Sequence, residues 1–116
     1  MTNPSQLHVL TRWERDLVTI ALQGELDVTS APRAQRCLAA VLSKSPSRLV
    51  IDLAGLRFMD SQGLKLIARA CRGVSGRGVV IRDPNPSVGR MLTLTGIDQV
   101  CTIEGQRPLP LPDALN

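Results

Sequence analysis

Arg48-Leu49-Val50-Ile51-Asp52-Leu53, followed by Ala54-Gly55-Leu56-Arg57-Phe58-Met59-Asp60 and then Ser61-Gln62-Gly63-Leu64, decides how the chain is organised. The first segment is nearly all apolar, so it reads as a strand buried on both faces in the middle of a sheet, with helices covering it. After a short loop, a helix is expected from Ser61 to about Gly73. Its periodicity buries Leu64, Ile67, Ala68 and Cys71 and exposes Lys65, Arg69 and Arg72.

Towards the N-terminus, Leu7 to Arg12 and Leu17 to Gln23 are short apolar or β-branched runs separated by the polar Glu14-Arg15-Asp16, which predicts an opening hairpin. Gly24-Glu25-Leu26-Asp27 reads as a break. From Thr29 or Ser30 a helix is signalled by a hydroxyl N-cap, by Pro32 in the first turn and by Ala31, Ala34, Leu38, Val41 and Leu42 at helical spacing. It should stop near Lys44 to Pro46. Towards the C-terminus, Gly76-Arg77-Gly78 is a turn, Val79-Val80-Ile81 a buried strand and Asp83 to Pro86 another turn. Ser87 to Thr95 forms a short helix with Val88, Met91, Leu92 and Thr95 on one face, and Val100 to Ile103 is the last strand. Gly105 to Asn116 holds three of the eight prolines, so an extended end is expected there in place of a helix. Two strands followed by alternating helix and strand predict an α/β domain. Its mixed, largely parallel sheet begins with an antiparallel N-terminal strand and is covered by helices.

A chain of 116 residues is one domain, and 43% hydrophobic residues suffice for one core without metals or disulfides. The aromatic share of 2%, Trp13 and Phe58, excludes base-stacking single-strand nucleic-acid modules and aromatic sugar platforms. The net charge is +4, yet the Lys and Arg residues are scattered and never run three together, which favours acidic partners or phosphate ligands over a DNA footprint. Cys37, Cys71 and Cys101 are widely spaced, with no CxxC or Cys/His cluster, so they read as small buried hydrophobes in a reducing compartment. A bridge between Cys37 and Cys71, on two helices that face the same core, would need Cα atoms within about 7 Å. The lone His8 reads as an edge-strand residue. No apolar stretch approaches the roughly 20 residues that cross a bilayer, so a cytoplasmic protein is expected.

Asp60-Ser61 delivers a carboxylate and a hydroxyl to the first turn of a helix, and two readings stand side by side. Ser61 can be an N-cap accepting an early helix amide, worth ~1 kcal/mol, with Gly63 permitting tight packing. It can also be an exposed phosphate acceptor, with Lys65 one turn on and Arg72 nearly in line. A phosphate there brings about −1.5 to −2 charge beside Asp60, an abrupt change able to abolish docking of a partner. Catalysis is disfavoured. GxSxG is absent, the only histidine is His8, and Asp27, Asp52 and Asp60 lack the acidic pair that phosphoryl-accepting receiver domains carry by their first strand.

Gly24-Glu25-Leu26-Asp27-Val28-Thr29-Ser30-Ala31-Pro32, with Leu49 to Leu56 running into Phe58-Met59-Asp60-Ser61-Gln62-Gly63-Leu64, resembles the STAS domain of anti-sigma factor antagonists. Leu94-Thr95-Gly96-Ile97-Asp98-Gln99-Val100 is similar to that family's segment between its third helix and last strand. The resemblance spans about Leu7 to Ile103. It implies a single STAS domain over residues 1–116, with its core at 7–103 and a Pro-rich tail at 104–116.

What the resemblance implies is a bacterial regulator that binds an anti-sigma factor of the protein serine kinase type and so frees a sigma factor. Ser61 would be phosphorylated by the bound kinase, ending the interaction, and a serine phosphatase would reset it. Asp27 and Asp60 match family positions at or beside the kinase-binding surface, Thr29 and Gly63 would lie on the same rim, and Lys65 is counted with them. No catalytic residue, cofactor, metal, nucleic acid or membrane is implied, and a weak homodimer is a further association compatible with it. Two other STAS roles are a scaffold subunit of a stress-sensing complex and a lipid-transport accessory subunit. The chain departs from many relatives in being basic and in ending on Arg107-Pro108-Leu109-Pro110-Leu111-Pro112, which cannot propagate a helix.

Overall fold

Strands β1 (His8–Glu14) and β2 (Leu17–Leu26) form the expected antiparallel hairpin, with His8 opposite Gln23 and Glu14 opposite Leu17. The connection at Arg15-Asp16 places Arg15 at a φ of 61°. In a computed structural model that describes residues 6–74 and 78–105, the chain continues through α1 (Ala31–Leu42), β3 (Arg48–Asp52), β4 (Leu56–Met59) and α2 (Ser61–Gly73). It ends with β5 (Val79–Arg82), α3 (Pro86–Leu94), a 3₁₀ turn (Ile97–Gln99) and β6 (Thr102–Glu104). The sheet has six strands in the order β1-β2-β3-β5-β6, with β4 on β2; only β1 and β2 run antiparallel.

β3 is the central strand, as its apolar sequence requires: Leu49, Val50 and Ile51 are all buried. Along β2, Val18, Ile20, Leu22 and Leu26 are buried at period two and face the helices. Ala34, Leu38 and Val41 of α1, Ile67, Ala70 and Cys71 of α2, and Val88 and Leu92 of α3 complete one core with Leu49, Ile51, Val79 and Ile81. Burying one such aliphatic side chain contributes roughly 1.5–3 kcal/mol, so this single layer of contacts dominates the favourable side of folding.

Gly24 to Leu26 are not a break. β2 continues through them and exchanges its partner: Leu17 to Ala21 pair with β3, and Gly24 to Leu26 pair in parallel with β4. The register shifts between Gly24 and Glu25, and the Gly24 N–H donates to the Gly55 carbonyl at 2.9 Å. Gly24 sits at a φ of 104°, and a Cβ there would strike the Gln6 carbonyl oxygen, so glycine is required at the irregularity. The segment expected to be a loop before Asp60 therefore contains the strand β4. Four residues with two exposed, Arg57 and Phe58, give too little alternation to mark it.

In α2 the buried set is Gly63, Leu66, Ile67, Ala70 and Cys71, while Leu64 and Ala68 are only half-buried. The helix is rotated from the expected face because α1 packs beside it and takes Leu66. The last strand begins at Thr102, the 3₁₀ turn occupying residues before it, and Thr95 caps the end of α3 on the exposed side. Most of the expected Gly76-Arg77-Gly78 turn and all but the start of the proline-rich tail lie outside the described residues. Cys37, Cys71 and Cys101 are free thiols, and Cys101 Sγ donates to the Ile97 carbonyl at 3.3 Å. Cys71 and Cys101 are buried in the core, whereas Cys37 lines a shallow hollow with Trp13 and Lys44.

Candidate functional site

The parallel register of β2 and β4 sets Leu26 opposite Met59, so the residues that follow, Asp27 and Asp60, leave the same sheet edge side by side. The Asp60 N–H donates to the Leu26 carbonyl at 3.1 Å, closing this junction. Each strand then feeds a helix, α1 after Asp27 and α2 after Asp60, and the two helices pack together.

Asp27 folds the first connection. Its Oδ1 accepts the Thr29 and Ser30 N–H groups, both at 3.0 Å, and its carbonyl accepts the Ala31 N–H at 2.8 Å. Ser30 flanks α1 but makes no side-chain cap. Its Oγ accepts the Asp27 N–H at 3.0 Å and lies 2.9 Å from the Glu25 carbonyl oxygen and 3.2 Å from Asp27 Oδ1. The Ser30 N–H, followed by the Ser30 hydroxyl and the Thr29 N–H, holds the Asp27 carboxyl below its ordinary value against the opposing effect of desolvation.

Asp60, not Ser61, caps α2. Its Oδ1 accepts the Gln62 N–H at 2.9 Å and the Gly63 N–H at 3.3 Å, while Oδ2 accepts the Val28 N–H at 3.2 Å. One carboxylate thus holds the start of α2 and ties it to the connection after β2. Ser61 is pushed one position into the helix, exposed, and its hydroxyl makes no hydrogen bond among the described residues. Asp and Ser are both favoured caps, so adjacent residues of these types do not disclose which one will serve. Backbone direction decides: Asp60 is extended, with φ −102° and ψ −169°, because it is still leaving the sheet.

Thr29 and Lys65 are exposed, Lys65 one turn along α2 from Ser61, whereas Gly63 is buried. A Cβ on Gly63 would stand 2.5 Å from Met59 Cγ and 2.8 Å from Leu26 Cγ, so its role here is close approach of α2 to the sheet. Sequence reasoning missed Val28, an apolar side chain 67% exposed between Asp27 and Thr29, for which the only signal was a valine inside a polar turn. Val28, Ala31, Pro32, Gln62, Lys65, Leu66 and Arg69 line a groove of about 330 Å³ between α1 and α2. On the other side of the Asp27 turn, a hollow of about 490 Å³ is lined by Leu7, Glu25, Thr29 and Arg33, with Arg33 Nη1 donating to the Leu7 carbonyl at 2.9 Å.

Asp52 does not join Asp27 and Asp60; its Oδ1 accepts the Ala54 N–H at 3.0 Å. Among the described residues no group of three or more His, Cys, Asp or Glu is placed to hold a metal, and no helix is long and apolar enough to cross a membrane. The arrangement presents a free hydroxyl on a rigid junction with no imidazole beside it, His8 lying at the start of β1. This is chemistry suited to modification from outside and to docking.

Residues 9–107 match the STAS domain family. The chain is 29% identical over 92 residues to the anti-sigma-F factor antagonist RsfB of Mycobacterium tuberculosis, covering 72% of this chain and 75% of that protein. It is 30% identical over 96 residues to an anti-sigma F factor antagonist of Lysinibacillus sphaericus, covering 79% of each. Among solved structures, an anti-sigma factor antagonist from Mycobacterium paratuberculosis superimposes with a TM-score of 0.76 at 30% identity, over 99% of this chain and 96% of that one.

Proposed function

The chain belongs to the STAS domain family, and on that premise we propose that it is an anti-sigma factor antagonist. It binds an anti-sigma factor of the serine-kinase type and thereby releases a sigma factor, and phosphorylation of Ser61 ends the binding. The observation that carries this reading is the free, exposed Ser61 hydroxyl one residue inside a helix whose capping is done by Asp60.

Because Asp60 already occupies the Gln62 and Gly63 N–H groups, a phosphate on Ser61 finds those donors taken and a carboxylate as its neighbour. The added charge of about −1.5 to −2 is then presented outward, where it acts on whatever is docked against the rim. Asp27, Thr29, Asp60, Ser61 and Lys65 make up that rim, and Gly63 holds it in place. The chain itself works by binding and not by catalysis, in the cytoplasm where sigma factors act, and a serine phosphatase restores Ser61. A weak homodimer is compatible with this role.

The test is affinity for the cognate kinase-type anti-sigma factor in the presence of nucleotide. Ser61→Ala is expected to bind constitutively and Ser61→Asp poorly, with wild-type protein losing affinity as phosphate is incorporated. Equal affinities for all three forms overturn the switch. A very large particle on size-exclusion, indifferent to Ser61, assigns the chain to a scaffold instead.

A further inference from the structure

The three α-helices carry basic side chains and no acidic ones, whereas the strands carry both signs. Arg33 and Arg36 on α1, Lys65, Arg69 and Arg72 on α2, and Arg90 on α3 face no Asp or Glu within any of these helices. The acidic side chains among the described residues all lie on strands, turns and connections. Lys65 and Arg69 stand one turn apart on α2, both exposed, and neither has an ion-pair partner among the described residues. Like charges at i,i+4 destabilise a helix, so the isolated fold gains nothing from this pattern.

These two cations form one wall of the groove between α1 and α2, and its floor is apolar: Val28, Ala31, Pro32 and Leu66. Val28 is left 67% exposed there although the core lies close by. Gln62, the neighbour of Ser61, also lines the groove, so the groove is continuous with the proposed switch. We propose that the α1–α2 groove docks an acidic amphipathic helical segment of the partner protein, its apolar stripe on Val28, Ala31, Pro32 and Leu66 and its carboxylates on Lys65 and Arg69.

An apolar floor beside cations selects for a ligand that is apolar on one face and acidic on its flank, which is the helix-in-groove mode of recognition. Duplex nucleic acid offers phosphates but nothing for Val28 and Leu66, and an anionic bilayer is flat where the groove is concave. The inference rests on the partner-binding reading and specifies the chemistry of the partner. It also explains why Ser61 is an effective place for a phosphate: the new negative charge lies one turn from Lys65, where it neutralises the cation and repels the incoming carboxylates.

The experiment is amide-shift NMR titration of the full chain with a synthetic helical peptide carrying leucines along one face and glutamates on its flanks. A peptide of the same composition with the leucines spread around the helix is the control, and phosphatidylglycerol vesicles and duplex DNA are separate probes. The expected result is perturbation confined to the amides around Val28 to Gln35 and Gln62 to Arg69, weakening as salt is raised. Lys65→Glu with Arg69→Glu should lower affinity about tenfold, and Val28→Asp should do likewise without unfolding the exposed site. Equal binding of the control peptide, perturbation elsewhere, or stronger shifts at the same amides with vesicles or DNA overturns the proposal. The titration needs no kinase, so its failure leaves the Ser61 comparison standing, and failure of that comparison leaves the titration standing.

Discussion

Replacing Asp60 by alanine removes the acceptor of three backbone N–H groups at once: Gln62 at 2.9 Å, Gly63 at 3.3 Å and Val28 at 3.2 Å. Loss of an N-cap costs about 1 kcal/mol, loss of a carboxylate at a helix N-terminus about 0.3–1 kcal/mol, and the exposed bond to Val28 about 0.5 kcal/mol. The expected destabilisation is about 2 kcal/mol, or a fall in Tm of roughly 6–12 °C for a domain of this size. Asp60→Asn keeps one acceptor oxygen for the cap but turns an amide NH₂ towards the Val28 N–H, so about 1 kcal/mol is expected. Ser61→Ala removes a hydroxyl that bonds nothing among the described residues and installs a good helix former, so the change should stay within about 0.5 kcal/mol. Urea denaturation of the four proteins, with m checked for constancy, measures all of this. If Ser61→Ala costs as much as Asp60→Ala, Ser61 is the cap and its hydroxyl is not free for modification.

Gly63→Ala places a Cβ against Met59 and Leu26, both buried, so overpacking of about 1–3 kcal/mol outweighs the helix-propensity gain of up to about 1 kcal/mol; a stabilised variant in the same denaturation assay contradicts the packing role. Asn85 caps α3 by accepting the Val88 N–H at 2.8 Å while its Nδ2 donates to the Leu56 and Arg57 carbonyls at 3.1 and 3.2 Å. Asn85→Asp keeps the cap yet sets a carboxylate against two carbonyl oxygens, so it should cost about 1–3 kcal/mol, whereas a neutral result disproves the tie between α3 and β4. The folded-state pKa of Asp27 is depressed, so its contribution to stability is full above the ordinary carboxylate value and is lost as pH falls through the lowered one; Asp27→Asn should flatten that acid limb in a stability-against-pH curve. Cys37 is half-buried whereas Cys71 and Cys101 are buried in the core, so alkylation followed by mass spectrometry should label Cys37 first.

Much of the fold was legible because its signals are local. The apolar run Leu49 to Leu53 is long enough to mark a strand covered on both faces, and Pro32, Pro86 and the hairpin turn punctuate elements at the right places. β4 was not legible, since four residues with their middle pair exposed carry neither period. The face of α2 was read one position off because Leu64 and Leu66 are equally apolar, and only the neighbouring α1 determines which is covered.

For the site, the chain order alone put Asp60 and Ser61 at a loop-to-helix junction and marked Ser61 as a residue with two available roles. Residues 27 and 60, and the exposed valine between their loops, are brought together only by the parallel pairing of β2 with β4, a contact between segments more than thirty positions apart. Patterning within a segment follows from the side-chain periodicity of that segment, and the amino-acid sequence determines it directly. Which of two adjacent capping residues points back at the helix, and which hydroxyl is left free, depends on the direction in which the backbone leaves the sheet. That direction exists only once the neighbouring strand has supplied its hydrogen bonds.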